Sequence, residues 1–153
     1  VIDLAVEVAA ALARRFEGLR LRPYLCPAGV PTIGYGATRY EDGSAVTLLD
    51  SPITAERAEA LLLHQVRRTF LPAVIVLCPG IDSAERLAAI IDFAFNLGAG
   101  RLCASTLRRR INEGRWPDVP IELLKWVHGG GRRLSGLVLR REAEAALTWT
   151  SSY

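Results

Sequence analysis

The sequence predicts an α+β protein, mainly α, from three observations. Stretches at both ends repeat apolar residues at helical spacing, residues 19–52 break into short β-prone pieces punctuated by Pro and Gly, and 50% of the residues are hydrophobic against 23% charged. That composition belongs to a chain that buries a core, which excludes a disordered polymer, and 153 residues suit one domain, residues 1–153. No uninterrupted apolar run approaches the roughly 20 residues that span a bilayer. No basic-then-apolar leader opens the chain, although a start at Val1 with no methionine is compatible with an export segment ahead of it.

Residues 2–16 place Leu4, Val8, Ala11 and Leu12 on one helical stripe that ends at Gly18. From 19 to 52 the glycines and prolines of LRPYLCPAGVPTIGYG predict two or three short antiparallel strands. Thr54 is placed to cap the long helix TAERAEALLLHQVRRTF, with Pro72 near its end. Asp82 and Glu85 read as a D-x-x-E capping box for a helix through Phe95. Helices at 104–112, stopped by Gly114, and at 117–127, with Pro117 in the first turn, follow. Gly129 to Gly131 read as a loop, and Ser135 opens a last helix to Trp149. The expected plan is a small β lobe (17–53), a connecting helix (54–76) and a helical lobe from 1–16 and 77–153. A cleft between unequal lobes is a natural ligand site.

Charge is uneven. Residues 1–100 carry nine Arg against eleven acids, whereas 101–153 carry nine Arg and one Lys against five. A basic C-terminal part suits an anionic partner or a solvated basic face. A nucleic-acid module is disfavoured, because the aromatic residues are not interleaved with the basic ones and no binding motif stands out. Cys26, Cys78 and Cys103, with only His64 and His128, give no metal-ligand spacing, so no metal or cofactor is expected. An odd cysteine count suits free thiols. Trp116, Trp126 and Trp149, beside apolar neighbours, read as core rather than sugar-stacking residues.

The most chemically loaded segment is FEGLRLRPYLCPAGVPTIGYGATRY, residues 16–40. Glu17 ends the first helix, Cys26 lies nine residues on and Thr32 six further, and a helix end followed by a hairpin can bring all three to one groove. The set offers an acid, a thiol able to act as base or nucleophile, and a hydroxyl able to hold a water. The plain alternative is a surface Glu, a structural Cys and a strand Thr.

This segment resembles the active-site region of the phage-type lysozymes, the endolysins of glycoside hydrolase family 24. Their pattern is a Glu, eight residues, an Asp or Cys, five residues and a Thr, within EG-x-x-L-x-x-Y and T-x-G-Y-G-x-T. Here it reads EGLRLRPY, Cys26 and TIGYGAT. ITAERAEALL, FNLGAG, STL and KWVHGGGRRLSGLVLRREAE match further family segments in order, so the resemblance covers nearly the whole chain.

The resemblance implies a lysozyme-like two-lobed fold and hydrolysis of the β-1,4 bond between N-acetylmuramic acid and N-acetylglucosamine in bacterial peptidoglycan. It makes Glu17 the general acid, with Cys26 and Thr32 on the water side and inversion as the outcome. To deliver a proton at neutral pH, Glu17 must hold it, which calls for a partly apolar wall, and Leu19, Leu21 and Tyr24 are the candidates. Cys26 stands where many relatives carry Asp. It is read first as a base whose thiolate Arg20, Arg22 or Arg39 favours, second as a direct nucleophile, and third as a bystander in a lytic transglycosylase that needs Glu17 alone.

Further positions come from the same resemblance. Phe95 and Asn96 fall at the saccharide groove, as does Thr106 or its neighbour Ser105. Arg140 and Arg141 read as a solvated basic face, with pairing to Glu17 as the alternative. A monomer acting in the cell wall, free of nucleic acid and of stable membrane insertion, completes the expectation. A wall-binding homologue weakened by the Cys26 change is the competing class.

Overall fold

The computed structural model describes residues 1–149. Helix α1 (Ile2–Glu17) buries Ala5, Val6, Ala9, Ala10, Leu12 and Ala13, so a stripe of small residues lets neighbouring helices approach closely. Strand β1 (Arg20–Leu25) pairs antiparallel with β2 (Pro31–Gly34), Tyr24 opposite Thr32 and Leu25 opposite Pro31. Two isolated bridges, Ile33 with Ala37 and Arg39 with Ala45, extend the β lobe through its turns.

The interlobe helix is continuous in space but changes winding. Helix α2 (Ala55–Gln65) is capped by Thr54, whose hydroxyl accepts the Arg57 N–H at 3.0 Å. A π turn follows (Val66–Phe70), and then α3 (Leu71–Leu77). Pro72 has no N–H to give, and the widened turn before it absorbs the mismatch without ending the helix. The helix therefore runs on from Ala55 to Leu77, 23 residues whose most apolar stretch has a mean hydropathy of 1.4, enough by length and composition to cross a membrane. Arg67 and Arg68 interrupt it, and Leu61, Leu62, Val66 and Val74 are buried in the protein core.

Helix α4 (Ala84–Leu97) is the axis of the helical lobe, buried along Leu87 to Ala94. Its cap differs from expectation. Ser83, not Asp82, accepts the Arg86 N–H at 3.1 Å, while Asp82 pairs with the Arg86 side chain. With the cap one residue later, Glu85 falls outside a capping box and the helix runs past Phe95 to Leu97. The expected 104–112 helix starts two residues later, as α6 (Thr106–Asn112), where the Ser105 hydroxyl caps it through Arg108 N–H, and a short helix that was not expected, α5 (Ala99–Cys103), precedes it. The 117–127 helix shortens to a 3₁₀ turn (Trp116–Asp118) and α7 (Val119–Leu123). The triple-glycine segment is a small ribbon, β3 (His128–Gly129) with β4 (Arg132–Arg133), turned by Gly130 and Gly131 at positive φ. Helix α8 (Ser135–Thr148) closes the lobe against α4.

Two apolar clusters result. The larger joins α1, the interlobe helix, α4 and α7, with Trp116 and Trp126 packed against it. The smaller gathers Ile33, Ala37, Val46 and Leu61 under the β lobe. Trp149, expected in the core, is 63% exposed.

Candidate active site

Glu17 is the last residue of α1, and its carboxylate opens onto a cleft of about 460 Å³ lined by Phe16, Asn96, Leu134, Ser135, Leu137 and Arg140. Arg140 Nη1 donates to Glu17 Oε1 at 2.6 Å. The same guanidinium grips Asp92 with two bonds, Nε at 2.8 Å and Nη2 at 2.7 Å. Arg140 and Asp92 are both buried, and Glu17 keeps 24% of its side chain exposed. Burial works against the charge on Arg140, but the bonds and charge of Asp92, and then of Glu17, more than offset it and drive its pKa further up. Glu17 is thus anchored by one oxygen. The other, Oε2, faces Gly36, where a Cβ would sit 3.1 Å away. With φ at +84° and the acid this close, glycine at 36 is what lets the β-lobe loop reach the carboxylate.

This replaces two expectations. The wall beside Glu17 is made by the Arg140 guanidinium with Phe16, Leu134 and Leu137 rather than by Leu19, Leu21 or Tyr24. Arg140 and Arg141 are not a solvated basic face: both are buried and both carry ion pairs. The signal for this lay in AAIIDFAF, where Asp92 interrupts an apolar helix run. A buried carboxylate needs a cation, and the unassigned arginines were the available ones.

Behind this pair lies a second one. Arg141 Nη2 donates to Glu144 Oε2 at 2.9 Å and to Asn96 Oδ1 at 2.8 Å, and the guanidinium lies 5.1 Å from the Phe93 ring centroid. Burial, then a hydrogen bond and charge from Asp92, push Glu144 well above the usual carboxylate range. Burial also pulls Arg141 down against the opposing charge of Glu144. Two polar groups therefore result, Glu17–Arg140–Asp92 and Glu144–Arg141–Asn96, and each reaches the same cleft, through Glu17 and through Asn96.

The water side is organised differently. Cys26 sits in the turn between β1 and β2, where its N–H donates to Val30 O at 3.1 Å and its carbonyl accepts from Gly29 at 2.8 Å. The backbone N–H of Val30 holds the thiol below its ordinary value, helped by the Ala28 N–H and the Thr32 hydroxyl and opposed by slight burial. Two of the three arginines expected to do this are engaged elsewhere: Arg20 stacks over Tyr24 at 4.6 Å and Arg39 bonds the Gly43 carbonyl, and neither they nor Arg22 figure among the groups that lower the thiol. Thr32 is buried and donates its one hydroxyl hydrogen to Val30 O at 2.8 Å, turning it to the Cys26 sulfur only when the thiolate forms, and its lone pairs remain free to accept. Tyr24 stands opposite Thr32 in the ladder, and burial pushes its phenol up, with the charge of Arg20 opposing and those of Glu17 and Cys26 adding to the rise.

Other predicted positions scatter. Asn96 lines the cleft. Phe95 packs its ring on Phe70 with centroids 5.2 Å apart and is partly buried against the main core. Thr106 is the first residue of α6, beside the capping Ser105. The three thiols are free, and burial pushes Cys78 up to about 11.

Comparison with known proteins agrees with this fold. The Phage lysozyme family model matches residues 14–144. The endolysin of Acyrthosiphon pisum secondary endosymbiont phage 1 is 36% identical over 141 residues, covering 89% of this chain and 91% of its own. The SAR-endolysin of bacteriophage PS119 is 33% identical, over 84% of this chain and 73% of that one. Among solved structures, the endolysin from Escherichia coli O157:H7 phage FAHEc1 superposes with a TM-score of 0.80 at 32% identity, covering 95% of this chain and 93% of that one. The chain belongs to the phage lysozyme family and is a glycoside hydrolase acting on peptidoglycan.

Proposed function

We propose that Glu17 is the general acid of this hydrolase, with Cys26 as base and Thr32 as the group that orients the attacking water. The observation that carries the reading is the anchoring of Glu17 by one oxygen. Arg140 spends two N–H groups on Asp92 and one on Glu17 Oε1, so a proton on Oε2, the oxygen on the Gly36 side, leaves the anchor intact. From there it can pass to the glycosidic oxygen as the bond breaks. On the other face, a thiolate stabilised by turn N–H groups accepts a proton from water, and Thr32 accepts a second hydrogen bond from it. Water attack opposite the leaving group inverts the anomeric centre.

The muramyl β-1,4 bond is the proposed point of cleavage. Asn96 is the proposed saccharide contact best supported by position, with Phe95 and Thr106 as outer contacts. All three chemical groups come from one chain, so a monomer suffices, and the reaction calls for no cofactor. The cell wall is the place of action. Relatives called SAR-endolysins support production in the host bacterial cytoplasm followed by release or export to the periplasm.

Glu17→Gln tests the assignment, because an amide keeps the shape and the bond to Arg140 but cannot deliver the proton. Lysis of permeabilised cells should fall at least ~10²–10⁴-fold with the fold retained by circular dichroism. Retention of about a tenth of wild-type activity would remove Glu17 from the role. The products separate the chemistries: the α-anomer for inversion, the β-anomer for a Cys26 nucleophile, and a 1,6-anhydro sugar for a transglycosylase.

A further inference from the structure

We infer that Arg141 and Glu144 are positioning residues, which lock the Asn96 carboxamide so that its NH₂ group is held as a hydrogen-bond donor for an acceptor oxygen of the glycan.

The argument starts from donor chemistry. A guanidinium only donates, so the 2.8 Å bond from Arg141 Nη2 can only end on Asn96 Oδ1, which fixes which way the amide is turned. The planar amide then points Nδ2 away from Arg141. No acceptor among the described residues bonds Nδ2, and Asn96 lines the same cleft as Glu17. A free asparagine would rotate and offer an oxygen as readily as an N–H. Here one choice has been removed.

The supporting pair is an expensive way to do this. Arg141 and Glu144 are fully buried. Their Nε–Oε1 contact is 2.7 Å but poorly aligned, so Arg141 Nε, Arg141 Nη1 and Glu144 Oε1 lack a hydrogen-bond partner among the described residues. Burying an ion pair with unmet donors adds little to stability, and apolar residues of similar volume commonly serve as well or better. The bonds that are well made are those to Asn96 and to Glu144 Oε2, 2.8 and 2.9 Å. Glu144 holds Arg141, Arg141 holds Asn96, and Asn96 meets the cleft.

The acceptor is an oxygen of the glycan, either the acetamido carbonyl or a ring hydroxyl. The inference rests on the glycan occupying the Glu17 cleft, and it is read by affinity rather than turnover so that the catalytic assignments do not enter. The probes are peptide-free glycan strands, fully N-acetylated or de-N-acetylated. Wild-type affinity for them tests the cleft reading itself, and the ratio of variant to wild type tests this inference.

Asn96→Asp keeps the acceptor for Arg141, and with it the fold, but removes the donor. It should weaken binding about tenfold, the size of one hydrogen bond to a well-placed partner. Arg141→Met combined with Glu144→Leu removes the buried pair whole and should lower affinity to a similar extent, with no further loss when Asn96→Ala is added. Glu144→Gln, which still accepts from Arg141, should bind as wild type. The Asn96 side-chain amide resonances should move in the Arg141→Met, Glu144→Leu protein, which a purely structural pair would leave in place. A loss confined to acetylated strands assigns the acetamido oxygen, and an equal loss on both assigns a hydroxyl. Wild-type affinity in Asn96→Asp, or losses that add independently, would overturn the inference.

Discussion

The two sides of the cleft are built by opposite means. The acid side is an ionic scaffold of side chains from α1, α4 and α8, brought together across 123 residues of sequence between Glu17 and Arg140. The water side is a short turn in which Cys26 is conditioned by the backbone of its own neighbours, Ala28 and Val30. The first is buried, the second open. Under the proposed roles, the acid that must keep one orientation is held by desolvated ion pairs, and the base that must exchange protons with water stays partly exposed under the influence of N–H dipoles.

Breaking the scaffold should have the largest effect. Arg140→Gln leaves Asp92 buried without its cation, which typically costs about 3–5 kcal/mol, and frees Glu17 as well. Chemical denaturation should report the loss together with nearly absent lysis. Combining Arg140→Met with Asp92→Leu should restore much of the stability but not the activity. If activity returns with stability, Arg140 does nothing for Glu17 beyond holding the fold.

The point where the two sides touch gives a smaller effect with a matched control. Gly36→Ala places a Cβ 3.1 Å from Glu17 Oε2 at a φ of +84°, whereas Gly43→Ala meets nothing within 4 Å at +87°. Both should lose roughly 1–2 kcal/mol from the left-handed backbone. Only Gly36→Ala should also lower the rate, by about tenfold or more, as the carboxylate is displaced. Equal activity in the two variants would mean that the loop does not set the position of Glu17.

Legibility in the sequence divides along the same line. Glu17, Cys26 and Thr32 sit within one segment, and the glycines of TIGYG announce the turns of the hairpin that carries Cys26 and Thr32, so that hairpin was legible from local spacing. The scaffold was hidden because Arg140 and Arg141 look like any helical basic pair until α8 is laid on α4. Only Asp92, a charge inside an apolar run, hinted at it. Helix ends were read to within a few residues, and the errors were those of competing local chemistry, such as Ser83 outbidding Asp82 as the cap. The ribbon at His128–Arg133 was missed because three glycines carry no strand signal.

The smallest effect is a slope. Glu144 titrates higher in the folded protein than the ordinary carboxylate value of ~4.3, so the folded state holds a proton that the unfolded chain releases. Its contribution is present below that ordinary value and is lost as pH rises through the folded value, at up to ~1.4 kcal/mol per pH unit. Glu144→Gln should flatten this part of the stability–pH curve, as read by urea midpoints from pH 4.5 upward. An unchanged curve would show that Glu144 does not carry the proton.

The central claim is that the hydrogen-bond donors of its own turn, the backbone N–H of Val30 first, make Cys26 a working base, and one paired measurement tests it most directly. The pH dependence of Cys26 alkylation, followed by peptide mass spectrometry, gives the thiol pKa, and the rising limb of the pH–rate curve gives that of the base. The two should coincide at a value below the ordinary thiol range of ~8.5, and activity should climb as pH rises through it. Cys26→Asp should keep activity and carry the limb to lower pH, whereas Cys26→Ser should lose it. A limb displaced from the alkylation curve, or full activity in Cys26→Ala, would contradict the account.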